Sequence, residues 1–213
     1  MTAPTKLVVG ATIVEVDDTT VRWTSGLAVD VDGSPNAYGP PGTNHLDAIG
    51  NAGTPGNWYG VITDTGKRDG TPIVQGPSDP CPGCYVSGTA LGDPAKRLSD
   101  PRRYVPGSTF PYASVPPELL AVLHVGDVGV ATIGDHRSVF VVGDVGPHRK
   151  IGEGSAALAA ALGLSPSPRR GGCSSGVAWT VYRGSHPTPA WPRKLEEVEA
   201  QVAVLEQPAA AVS

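Results

Sequence analysis

Cysteine, methionine and phenylalanine are scarce in this chain, with three, one and two copies among 213 residues. Three cysteines cannot build the framework of a small disulfide scaffold. Cys81-Pro-Gly-Cys84 is a lone C-x-x-C without a second pair or a suitably spaced histidine, which is not a zinc-ribbon pattern. The sequence leaves that pair open between a local loop staple and two inert thiols, with Cys173 the odd one. No apolar run approaches the ~18 residues of a membrane span, so no membrane partner is expected. Positive charge is not in excess: 16 Lys and Arg against 20 Asp and Glu give a net charge of -4. That balance argues against a nucleic-acid-coating surface and tolerates a cationic substrate.

Other signals are missing too. No phosphate-cradling loop, G-x-S-x-G elbow or dinucleotide fingerprint occurs, so no cofactor is expected. The five histidines, His45, His124, His136, His148 and His186, show no H-E-x-x-H or i,i+4 pairing. "DVDG" at 30–33 departs from an EF-hand, because Gly33 is its fourth residue and Pro41 its twelfth. No metal site is expected. "TAPTKLVVGATIVEV" after Met1 alternates like a strand where a signal peptide needs an unbroken apolar region. The expectation is a protein made in the cytoplasm and released by lysis, with a phage particle or by non-classical export.

What the chain does have is 28 glycines and 22 prolines scattered between alternating apolar runs, a pattern of many short strands and turns. Residues 6–16 and 20–33 read as two strands joined by Asp17-Asp18. The Gly- and Pro-rich stretch 34–56 reads as a long ordered loop or one that lines a site. Further strands are expected over 57–64, 71–75 and 84–91. In "STFPYASVPPELL" at 108–120 the prolines exclude a central strand but allow an edge strand followed by a short helical turn. A hairpin over 127–134 and 138–144 and a last strand over 176–184 complete the set. Residues 155–162 read as a helix capped by Ser155 and stopped by Gly163. From Pro192 the apolar Leu195, Val198, Val202 and Leu205 recur at helical spacing, predicting an amphipathic tail helix that packs on the domain or on another subunit. Residues 1–186 are thus expected to form one mainly β domain and 187–213 a helical tail, with self-association or docking through the tail as a partner option.

The chemistry-bearing stretch is "VFVVGDVGPHRKIGEGSAALAAALGL" at 139–164. Asp144 ends a strand, and Glu153 follows nine positions later, just before the capped helix. Two carboxylates held by a short loop can split a glycosidic bond, one protonating the leaving oxygen while the other activates water or attacks the sugar. The bland alternative gives Asp144 to a turn and Glu153 to the positive end of the helix.

"GDVGP...KIGEGSAALAAALGL" resembles the strand, turn and helix of a double-psi β-barrel, the six-stranded barrel of expansins and some endoglucanases. More narrowly it resembles the fungal-type chitosanases of glycoside hydrolase family 75, whose catalytic aspartate closes a "GD" strand and whose glutamate sits in an "(I/V)GE(A/G)S" turn. "GLAVDVDGSPNAY" at 26–38 is similar to the family's acidic block, and the resemblance spans residues 20 to about 184. It implies a six-stranded double-psi-like barrel with a short internal helix and a C-terminal helix. It also implies endo-acting, inverting hydrolysis of a β-1,4-linked glucosamine polymer such as chitosan by Asp144 and Glu153. Glu153 is taken as the acid and Asp144 as the base, although the sequence leaves the roles exchangeable. Acidic subsites for a polycation are expected at Asp30, Asp32 and Asp47, with Asp127 a weaker candidate. Trp58, Tyr59 and Tyr112 are candidates for stacking on sugar rings, and His148 for positioning substrate. Two rival readings are a carbohydrate- or cell-wall-binding module without turnover and a structural or lytic part of a phage or injection apparatus.

Overall fold

A computed structural model describes residues 4–207 of the chain. The alternating run at the start does not continue as one strand. Gly10 takes φ 61° and turns the chain back on itself, giving a hairpin of β1 (Thr5–Val9) and β2 (Thr12–Val16). The single strand expected over 6–16 is corrected accordingly. β3 (Thr20–Asp30) follows a turn fastened by Asp17, whose carboxylate accepts the backbone N–H groups of Thr19 and Thr20.

After β3 come two short strands, β4 (Gly53–Thr54) and β5 (Asn57–Trp58), inside a long irregular segment. Next come β6 (Tyr112–Val115), β7 (Val128–Ile133), β8 (His136–Val145), β9 (Glu153–Ser155), α1 (Ala156–Ala161), β10 (Cys173–Tyr182) and α2 (Leu195–Leu205). Six strands close a barrel in the order β3-β10-β7-β8-β6-β9, with β9 pairing back onto β3. The pairs β6–β8 and β3–β9 are parallel and the others antiparallel. The mainly β barrel expected from the sequence is present.

Two further local expectations need correction. β6 is not an edge strand: it lies between β8 and β9 and is buried along its whole length. Its prolines, Pro111, Pro116 and Pro117, flank the four-residue strand and so remove none of its ladder donors. The strands expected over 57–64, 71–75 and 84–91 reduce to β5 and the isolated bridges Val61 to Ser87, Thr63 to Pro72 and Val74 to Tyr85. Residues 31–111 are mostly loop, folded over one end of the barrel and stapled locally by a Cys81–Cys84 disulfide.

Of the two surfaces expected to cover the tail helix, the domain itself is the one it packs on. Val198 and Val202 of α2 are buried with Val128, Val130, Val139 and Val141 of β7 and β8, and Trp191 meets Phe110 edge-on at 4.9 Å. The helix spends its apolar face on its own barrel, leaving Val204 and Leu205 as its exposed large apolar residues. A separate apolar cluster fills the barrel around Trp23 and Trp179, stacked at 5.7 Å, with Phe140 edge-on to Trp179.

Candidate functional site

Four carboxylates converge at one end of the barrel because three strand ends that carry them converge there. Asp30 closes β3, with Asp32 just beyond it; Asp144 is next to last in β8, and Glu153 opens β9. Ser114 of β6 pairs with Asp144 on one side and with Glu153 on the other, so the two carboxylates flank one serine across three adjacent strands. Neighbouring strands lie ~4.8 Å apart, which places the two backbones ~9 to 10 Å from each other. Ser114 is buried, and its hydroxyl stands beside the Glu153 carboxyl, where it counters part of the rise in that group's pKa.

The glycines of this stretch are spatial requirements. Gly152 takes φ 92°, and a Cβ there would collide with the Ser25 hydroxyl and the Gly26 carbonyl of β3. At Gly146 a Cβ would stand 2.8 Å from Glu153 Oε2 and 3.1 Å from Ser114 Oγ, so the bare backbone leaves the glutamate room. Ser155 fixes the other end as a buried hub. Its hydroxyl donates to the Phe110 carbonyl at 2.9 Å and accepts the N–H groups of Tyr112 and, as the N-cap of α1, Leu158.

Carboxylate oxygens of Asp30, Asp32 and Asp144 lie within 4.8 Å of one another, and all three residues are partly buried. Three negative charges cannot share that space, so protons stay bound. Burial first, and then the Asp30 charge, push the Asp144 carboxyl up to about 8. The same two causes push Glu153 up to about 7, opposed by the nearby Lys150. Asp32 is raised well above the ordinary carboxylate range by burial and by Asp30, Asp144 and Glu153. Asp30 is raised by burial and by Asp47.

Loop residues brace this cluster. Ala90 N–H donates to Asp144 Oδ1 at 2.7 Å, Ser87 Oγ lies 3.2 Å from Asp32 Oδ1, and the Asp32 N–H donates to Asp30 Oδ1 at 2.8 Å. Tyr38 and Tyr112 place buried hydroxyls against Asp32 and Asp30. Neither Tyr38, Ser87 nor Ser114 is singled out by sequence reading. Tyr38 carried one signal, its place at the end of the acidic block.

The remaining expected site residues separate. Tyr112 is fully buried and cannot stack on a sugar; its hydroxyl, which also donates to the Asp32 carbonyl at 3.2 Å, serves the floor of the site. Asp47 is 5% exposed, and its oxygens are taken by Ala48 N–H and Asn51 Nδ2, with Arg169 Nε 3.7 Å away. It holds a turn and offers no free subsite. His148 is exposed and turned to Glu118, 3.3 Å from its carboxylate, rather than standing between the two catalytic candidates. Trp58 is half-buried against the cluster containing Tyr38, whereas the neighbouring Tyr59 is 57% exposed, one residue before Gly60, which lies against Asp32. A groove beside Glu153 is lined by Thr12, Ala28, Pro147, Arg149 and Lys150.

Two groups among the described residues bring three candidate ligand atoms together: the Asp30, Asp32 and Asp144 cluster, and His124 with Asp127 and His186 elsewhere. Asp127, weighed above as an acidic subsite, is fully buried in that second group. No described helix is long and apolar enough to cross a membrane. Comparisons of the chain with protein-family models and with curated proteins find no match.

Proposed function

We propose that this chain is a glycoside hydrolase that cleaves a β-1,4-linked glucosamine polymer, with chitosan as the reference substrate, by inversion at the anomeric carbon. The observation that carries the reading is the pair Asp144 and Glu153 on the two strands flanking Ser114, both holding protons close to neutral pH. A two-strand separation suits carboxyl groups ~6.5 to 9.5 Å apart, the spacing that leaves room for an attacking water. Glu153 stands between Ser114 of β6 and Ala28 of β3, across Ser114 from Asp144, and is assigned the general acid by analogy with the resembled family, since Asp144 is raised at least as far and the protonation states alone leave the two roles exchangeable. Asp144 acts as the base. It is ionised in the state in which Asp30 or Asp32 holds the cluster's proton, and in that state it can orient water.

A second reading draws on Arg149 and Lys150 in the groove beside Glu153. Two cations there favour a glycan that carries a carboxylate on one sugar, as a cell-wall polymer does, over a pure polycation. Proton NMR of the first products from soluble chitosan and from cell-wall glycan tests both readings. The α anomer appearing first from chitosan is the expected result. The α anomer from cell-wall glycan alone would favour the second reading, and initial β product from either would contradict inversion.

A further inference from the structure

We propose that His124, Asp127 and His186 form a binding site for a divalent transition metal of the zinc type, separate from the acidic cleft. The turn before β7 and the segment after β10 meet here. Asp127 is completely buried, yet among the described residues no lysine or arginine pairs with it, and its charged or titratable side-chain partners are the two imidazoles. His186 Nδ1 lies 2.9 Å from Asp127 Oδ1, His124 Nδ1 lies 3.8 Å from Oδ2, and the ring centroids are 4.7 Å apart. Ligands bound ~2.0 to 2.2 Å from one zinc ion sit ~3 to 3.5 Å from each other. The Asp127–His186 pair already meets that spacing, and the candidate ligand atoms of all three residues lie within 4.8 Å of one another. The Asp127–His124 pair needs a shift of roughly half an ångström by a side chain that is 63% exposed and free to turn.

The supporting contacts are those a ligating carboxylate needs. The backbone N–H groups of His124 and His186 donate to Asp127 Oδ2 and Oδ1 at 2.8 and 3.1 Å, fixing its orientation. Gly126 allows the close approach, since a Cβ there would press on Ala190 and His186. Ser185 fastens the second segment, accepting the Val128 N–H at 2.8 Å. Two imidazoles and one carboxylate select zinc, nickel or copper over calcium or magnesium, and the exposed side leaves a fourth position for water. The motif is invisible to local spacing because its two histidines are far apart in sequence, with only His124 and Asp127 at i,i+3.

The test uses the full chain stripped with EDTA. Calorimetric titration with zinc should give one equivalent bound, and cobalt should give visible absorption bands of an imidazole-ligated centre. Saturating zinc should raise Tm by roughly 5 °C. His124→Ala, a change at an exposed side chain, should weaken zinc binding at least 10-fold and remove the Tm rise, while His148→Ala should retain both. Absence of binding at millimolar zinc would overturn the proposal. So would binding that persists in His124→Ala, or binding that is lost only in Asp32→Asn.

Discussion

At the scale of single residues, the site depends on room as much as on charge. Gly146→Ala places a methyl group 2.8 Å from Glu153 Oε2, and the flexible carboxylate has to give way. We expect a fall in kcat of roughly 10- to 100-fold with Tm nearly unchanged, measured by initial rates and thermal melts. Gly152→Ala should behave differently. Its φ of 92° and its backbone neighbour in β3 cannot adjust, so stability should fall by at least ~2 kcal/mol in urea melts. Asp144 and Glu153 were legible in the sequence because strand end, glycine turn and capped helix are consecutive there. Tyr38, Ser87 and Ser114 were not, since they reach the cluster only through pairings between distant strands and loops. Tyr112 was misjudged for the same reason: an aromatic in a strand reads alike whether its hydroxyl or its face is the useful part.

At the scale of elements, the hairpin β7–β8 and the helix α1 follow from local signals. Gly134 sits in the turn of the first, and Ser155 and Gly163 bound the second. Within the long segment 31–111 the loop over 34–56 followed from its Gly and Pro clusters, but the strands over 57–64, 71–75 and 84–91 did not, because bridges of one residue pair largely replace them. The segment's order rests on side chains such as Gln75, whose amide donates to the Tyr85 carbonyl and accepts the Cys81 N–H. Amphipathic spacing found α2, but spacing alone does not name the surface that covers a helix. Val202→Ala should remove about 2 kcal/mol of stability, the loss of two buried methyl groups and the space they leave, as read by chemical denaturation. Unchanged stability would mean that α2 is not seated on the barrel.

At the scale of the whole molecule, the closed barrel gathers charges that the folded state can tolerate only in part. Asp144 and Glu153 keep protons that an unfolded chain would release near pH 4, so the folded protein binds more protons between those values and its own raised ones. That contribution is complete below about pH 4 and is lost as the pH climbs through about 7 to 8. Tm should therefore decline from pH 5 to pH 8.5, and Asp32→Asn should flatten the decline and raise Tm at the alkaline end, both readable by differential scanning fluorimetry. A wild-type Tm that rises over this range would contradict the clustering. Ending the chain at residue 190 should destabilise the barrel itself, because Trp191, Val198 and Val202 belong to its apolar cover.

The most direct test of the central claim is the initial rate of reducing-end release from soluble chitosan and from cell-wall glycan by the wild type, Asp144→Asn and Glu153→Gln, with each variant's Tm recorded alongside. The account predicts release by the wild type from one of these polymers and a loss of ~100-fold or more in both variants at unchanged or raised Tm. Variants that keep the wild-type rate, or a wild type that releases nothing from either polymer while binding them as tightly as the variants do, would contradict it.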